Sequence, residues 1–196
     1  PVVLFNRGQP GSGLSAVTSA NIKGATMATQ VLIDAGHKRI AHIAGWEGSL
    51  TGRDRRQGFE DAMAGADLTP FAIIDGMYKR DVAAATARQL MTGETRPDAI
   101  FVGNDHMAFA VMDEIRKMGF SIPGDVSIIG YDDVPLSSWP AYDLTTVRQP
   151  VNRMVEATIE TLLSAINGQE IYAQTIEIEG PLVQRGSSRP LKGSPL

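Results

Sequence analysis

Four short clusters of side chains in this sequence could do chemistry, and each follows directly on an apolar run: Asn6 and Arg7, Trp46 with Arg53 and Arg55, Asn104 with Asp105, and Tyr131 with Asp132 and Asp133. Amides and carboxylates pair with vicinal hydroxyls, a guanidinium offers a planar fork, and an indole or phenol ring covers a C–H face. The set suits a neutral polyhydroxylated ligand such as a sugar, and purines use similar groups. Each residue also has a structural reading. Asn104 or Asp105 can cap the following helix, Asp132 and Asp133 can shape a turn before Pro135, and Arg53, Asp54, Arg55 and Arg56 can form a solvated charged face. Trp46, Tyr78 and Trp139 can be partial core or interface residues rather than stacking platforms.

Enzyme templates fit less well. His37, His42 and His106 lack paired metal-ligand spacing, and His42, inside an apolar run, reads as a structural histidine. Gly11-Ser12-Gly13 has neither the spacing of a dinucleotide fingerprint nor the lysine of a phosphate loop. In Gly48-Ser49-Leu50-Thr51-Gly52 the serine is out of register for a nucleophile elbow. Asp132 and Asp133 are adjacent, so an extended backbone would point them apart, which makes a poor acid–base pair. Neither a cofactor nor a metal is implied.

The elements that must position these clusters alternate. Strands are predicted over 39–44, 71–75, 99–102, 126–130 and 145–148, with helices between them, the signature of βαβ units around a mostly parallel sheet. Met107, Val111, Ile115 and Met118 mark one helix, ended by Gly119. Ile22, Ala25, Ala28, Leu32 and Ala35 mark another, with Asn21 as its cap and Gly36 beyond it. Val151, Val155, Ile159, Leu162 and Ile166 mark a third packing stripe, stopped by Gly168. The span 174–184 alternates as a half-exposed strand with Pro181 at a sheet edge, and the chain from Gly186 reads as a frayed tail. The opening Pro1 to Phe5 reads as a buried strand with no lead-in, which predicts a fragment of a longer protein. That strand and the helix from Val151 do not fit the five-stranded unit, so they are assigned to a second lobe. A cleft then falls at the carboxyl ends of the strands.

The composition, 43% hydrophobic and 20% charged over 196 residues, supports a sizeable core. A net charge of −4 argues against a phosphate-backbone interface on this surface. The absence of cysteine excludes disulfides, thiolate metal sites and a cysteine nucleophile, and is compatible with a cytoplasmic setting. No apolar run approaches a membrane span.

The runs 36–45 (Gly-His-Lys-Arg-Ile-Ala-His-Ile-Ala-Gly), Arg55-Arg56-Gln57-Gly58-Phe59, Asn104-Asp105, Gly130-Tyr131-Asp132-Asp133, Leu144-Thr145-Thr146-Val147 and 182–187 (Leu-Val-Gln-Arg-Gly-Ser) occur in that order. Together they resemble the effector-binding domain of lactose- and purine-repressor-type (LacI) regulators, from Pro1 to about Ser188. The resemblance implies an α/β fold like that of periplasmic sugar-binding proteins, with two Rossmann-like lobes. In that scheme 1–19 and 151–168 form part of the N-terminal lobe, 20–150 and 169–188 a complete C-terminal lobe, and 189–196 a flexible tail.

It also implies that Asn6 takes the position of an effector-binding acid and that Arg55, Asn104 and Asp132 contact the effector. Tyr78 and Gln149 are further ligand-contact candidates from the same comparison. The implied partners are a small-molecule effector and a second copy of the chain, in the cytoplasm. The resemblance further implies that operator DNA is reached only through a separate helix-turn-helix domain, expected to be absent from this chain. The alternatives are a periplasmic sugar-binding protein of a transporter, which a preceding signal peptide would favour, and an enzyme of doubly wound fold, which turnover of a bound ligand would favour.

Overall fold

The computed structural model describes residues 1–168 and 173–190. Its larger sheet contains β3 (Ile40–Ala44), β4 (Ala72–Asp75), β5 (Ala99–Val102), β6 (Ser127–Asp132), β7 (Thr145–Arg148) and β9 (Leu182–Val183) in the order β4-β3-β5-β6-β7-β9. All neighbours are parallel except β7 and β9. Helices α1 (Asn21–Asp34) and α2 (Leu50–Gly65) cover one face, and α3 (Arg80–Thr92) and α4 (Asp105–Lys117) the other. Strands β3 and β5 are fully buried because helices lie on both sides, so their side chains, His42 apart, are apolar rather than alternating. Strand order reverses between β3 and β5, which opens a crevice at their carboxyl ends. There the two following loops touch: an added Cβ at Gly103 would lie 2.7 Å from the Gly45 nitrogen.

A second, three-stranded parallel sheet runs β1 (Val3–Phe5), β2 (Ser15–Ser19), β8 (Thr175–Ile178), with α5 (Val151–Ile166) packed on it through Val17, Met154 and Ile178. The chain passes between the two sheets three times, at β2 to α1, β7 to α5 and β8 to β9. Two of these crossings are pressed together, since any side chain at Gly180 would collide with the Arg148 carbonyl.

Several expectations are corrected by this topology. The opening strand lies at the sheet edge with Val2 and Phe5 exposed, because no strand pairs on its outer side among the described residues. Strand β2 is not among the expected strands, because its Ser-Ala-Val-Thr-Ser sequence has only two β-branched residues flanked by small and polar ones. Residues 174–184 are two strands, not one. Thr175–Ile178 pairs with β2 in the small sheet, although 169–188 was assigned to the larger lobe, and Leu182–Val183 pairs with β7.

The stripe on α5 is reversed as well. Of the expected stripe, Val151, Val155, Ile159 and Ile166 are exposed and Leu162 is half-buried; Leu163 is exposed as well, and the helix packs mainly through Met154 and Ala157. The segment from Gly186 is docked, not frayed. Ser187 is 2% exposed, its Oγ donates to the Ile128 carbonyl at 2.6 Å, and the Arg189 amide donates to Ser127 Oγ at 3.1 Å. The rest of the expected tail, 191–196, lies outside the described residues, as do 169–172.

Candidate functional site

Arg55 is the centre of the crevice. It sits one turn into α2, whose N-terminus is fixed by Ser49, the Oγ of which accepts from the Gly52 amide at 3.0 Å. Far from the solvated face expected of a charged run, Arg55 is 2% exposed. A buried guanidinium must have its donors satisfied. Nε donates to Asn21 Oδ1 at 3.0 Å, Nη1 to the Gly103 carbonyl at 2.7 Å and Nη2 to Asp132 Oδ1 at 3.3 Å. Its plane lies 3.6 Å from the centre of the Tyr131 ring, and the Tyr131 hydroxyl is 3.0 Å from Ser19 Oγ on β2. Arg55 thus ties a crossing segment, the β5 loop and the end of β6 together.

Asp132 and Asp133 both have positive φ, 120° and 57°, a conformation that costs free energy unless its surroundings hold it. Two devices do so. Asp133, 4% exposed, receives Arg148 Nε at 2.6 Å and Arg185 Nη2 at 2.7 Å. Asp105, fully buried, receives the Val134 amide at 3.0 Å and the Ser137 and Thr146 hydroxyls at 2.6 Å each. Burial pushes the Asp105 carboxyl up to about 6, against the pull of those hydroxyls. With the backbone so fixed, Asp132 turns into the cleft, where Gln149 Nε2 donates to its Oδ1 at 2.6 Å.

Asn104 caps α4, its Oδ1 accepting from the Met107 amide at 3.0 Å, so only its Nδ2 donors remain for a ligand. Capping and ligand contact are therefore compatible. Tyr78 (φ 55°) ends a turn held by Asp75, which accepts the Met77 amide at 2.7 Å. Its ring occupies the space that a side chain at Gly45 would need. The Tyr78 hydroxyl is buried without a partner among the described residues, and that burial pushes it up from its ordinary value. Asn6 (φ 55°) is anchored by its own amide to the Val17 carbonyl at 2.8 Å, and its Oδ1 is likewise buried and unpaired.

All six residues singled out for binding, Asn6, Arg55, Tyr78, Asn104, Asp132 and Gln149, line one cavity of about 610 Å³ between the two sheets, within the ordinary size of small-ligand sites. Trp46, half exposed, lies at the same cavity, whereas Trp139 does not. The residues missed were supporting ones. Asn21 was read as a helix cap, but Ala20 holds that position and the Asn21 amide carries Arg55. Tyr131 and Asp105 flank recognised site residues, and their neighbourhood was the one available signal. His42 is buried between Phe59 and Phe101 with its Nδ1 2.9 Å from the Phe101 carbonyl, and desolvation lowers its pKa to about 4. Among the described residues no group of three or more histidine, cysteine or acidic side chains is arranged to hold a metal.

A buried arginine, two orphaned polar atoms and a cavity at a strand-order switch between two parallel sheets define a small-molecule binding module of α/β type. Residues 29–188 match the periplasmic binding protein-like domain family, and the chain belongs to it. The HTH-type transcriptional repressor PurR of Vibrio vulnificus is 32% identical over 193 residues, 97% of this chain and 58% of that protein. A crystal structure of a LacI transcriptional regulator from a Rhodococcus species superposes with a TM-score of 0.90 at 32% identity, over 97% of this chain and 70% of the other. The transcriptional regulator CelR in complex with cellobiose gives 0.88 at 32% identity, over 96% and 59%. Within the family the chain is an effector-binding domain of the LacI type. It spans 58% of the length of the curated relative it matches.

Proposed function

We propose that this chain is the sensing part of a transcriptional regulator, taking a small polyhydroxylated metabolite into the cleft between its sheets and acting on DNA through a separate region of the protein. The carrying observation is that Asn6, Arg55, Tyr78, Asn104, Asp132 and Gln149 line one cavity, and that two of these residues hold a buried polar atom without a partner among the described residues, Asn6 Oδ1 and Tyr78 Oη. Buried polar groups are almost always paired, and a ligand bearing hydroxyls supplies what these lack. The repressor relatives and the cellobiose bound by one of them support a regulator over a transporter component. In this reading the domain binds without turnover, works as a homodimer in the cytoplasm, and biases DNA affinity by preferring one arrangement of its two lobes. No described helix is long and apolar enough to cross a membrane.

Calorimetric titration of a panel of sugars, sugar derivatives and purines tests the reading with Asp132→Asn and Tyr78→Phe. Both should keep the fold. Asp132→Asn should weaken the effector by about tenfold or more, and Tyr78→Phe by a smaller factor with the melting temperature unchanged, since its hydroxyl has no partner to lose. Binding indifferent to both variants would remove the cleft from consideration, and chemical conversion of the bound ligand would replace the sensor with an enzyme.

A further inference from the structure

Among the described residues, the charged side chains that line the cleft are Arg7, Arg53, Arg55 and Asp132. Arg55 and Asp132 neutralise each other at 3.3 Å. That leaves two guanidiniums, and neither forms an ion pair among the described residues. Arg53 holds only the Glu47 backbone carbonyl through Nη1, at 3.0 Å, while the Glu47 carboxylate is taken by Arg56. Asp54, the acid beside Arg53, does not line the cavity. Position 6, also in the lining, carries the neutral Asn6. Both arginines reach the same lining because the loop after β1 folds onto the first turn of α2. Gly8 lies so close to Leu50 that an added Cβ would collide with its Cδ2. A cationic cavity is a local feature here, since the whole chain carries a net charge of −4.

We infer that the effector is an anionic polyol, a sugar phosphate or a sugar acid, whose hydroxyls meet Asn6, Tyr78 and Asp132 and whose anionic group is held at the mouth by Arg7 and Arg53. Guanidinium forks match phosphate and carboxylate geometry alike. Both arginines are exposed, so neither is needed for packing. The inference rests on the sensor reading above and narrows it to one ligand class.

The test is calorimetry on the full chain with matched pairs: neutral hexoses and pentoses, their terminal phosphates, and the corresponding uronic or aldonic acids. Each is titrated into the wild type, Arg7→Gln, Arg53→Gln and the double variant, at low and high salt. The expected result is an anionic member bound about tenfold or more tighter than its neutral parent. The double variant should lose that advantage, raised salt should shrink it, and neutral parents should weaken far less than their anionic partners. The phosphate and carboxylate arms identify which anion is read. Neutral sugars bound as tightly as their anionic partners, or an advantage that survives the double variant, would overturn the anionic class and leave the sensor intact. Binding of no member of any pair would overturn the anionic class, and silence across the wider panel of sugars, sugar derivatives and purines would overturn the sensor reading as well.

Discussion

At the scale of single residues, the site depends on carboxylates that a ligand never needs to touch. Asp105 accepts three hydrogen bonds that fix the turn after Asp132, so Asp105→Ala should leave three buried donors unpaired and cost several kcal/mol, roughly 1–3 for each orphaned group. Its ionisation has an opposite cost. A carboxyl held at about 6 rather than 3.8 binds its proton more tightly in the folded chain than in the unfolded one. The stabilisation from that proton is complete below about pH 4 and is lost as pH rises through about 6. The stability of the wild type relative to Asp105→Asn should therefore rise on acidification from pH 7 to 4, by up to about 3 kcal/mol. Paired thermal melts across that range measure it, and a difference independent of pH would mean that Asp105 titrates normally.

Between elements, close approach outweighs intrinsic propensity. Gly58 lies in the middle of α2, where alanine would ordinarily be favoured by about 1 kcal/mol. Its α-carbon, however, faces α1, and an added Cβ would be driven into the backbone carbonyl of Ile22 and sit 2.9 Å from Ala25 Cβ. Thr26 Oγ1 also donates to the Gly58 carbonyl across this contact, at 3.1 Å. Gly58→Ala should thus destabilise by about 1–3 kcal/mol, as overpacked contacts do, and because α2 carries Arg55 it should weaken ligand binding too. A stability gain in chemical denaturation would show that the helices can part at no cost.

The apolar stripe of α5 makes the complementary case. Met154 is fully buried, so Met154→Ala should cost about 2–5 kcal/mol. Ile159 is 51% exposed, and Ile159→Gln should change stability by no more than about 0.5 kcal/mol. Denaturation of the two variants side by side would expose any error in which face of the helix packs.

For the whole molecule, the cleft is bounded by both sheets and by the segments that join them, so a ligand should stiffen the junctions first. At a hundredfold excess over Kd it stabilises the folded state by about 2.7 kcal/mol. The amides of Asn6, Ala20 and Arg148, which bond to Val17, Ile178 and Pro181, should gain hydrogen-exchange protection on binding. Amides of β4 and the distal half of α3 should change least. Equal protection throughout would signal global stabilisation with no preferential effect on the crossings.

Much of this was legible in the order of the residues. The β-branched runs and helical stripes of the larger lobe appear in the sequence because each element there buries its own apolar face, and the residues just past each strand appear because a parallel sheet gathers its loops at one end. The small sheet was less legible. β2 is polar in sequence yet buried, and the stripe on α5 faces outward, because the partners of these segments come from distant parts of the chain and no local pattern records them. The sequence also identified the cleft residues but could not show what holds them. That Arg55 is buried rather than solvated, that Asn21 serves it rather than a helix end, and that Asp133 is locked by Arg148 and Arg185 while Asp132 faces the cleft all follow from contacts between residues 15 to 77 positions apart. Residue type and local period set which groups are available. Burial and pairing, which decide what those groups do, exist only once the chain has folded back on itself.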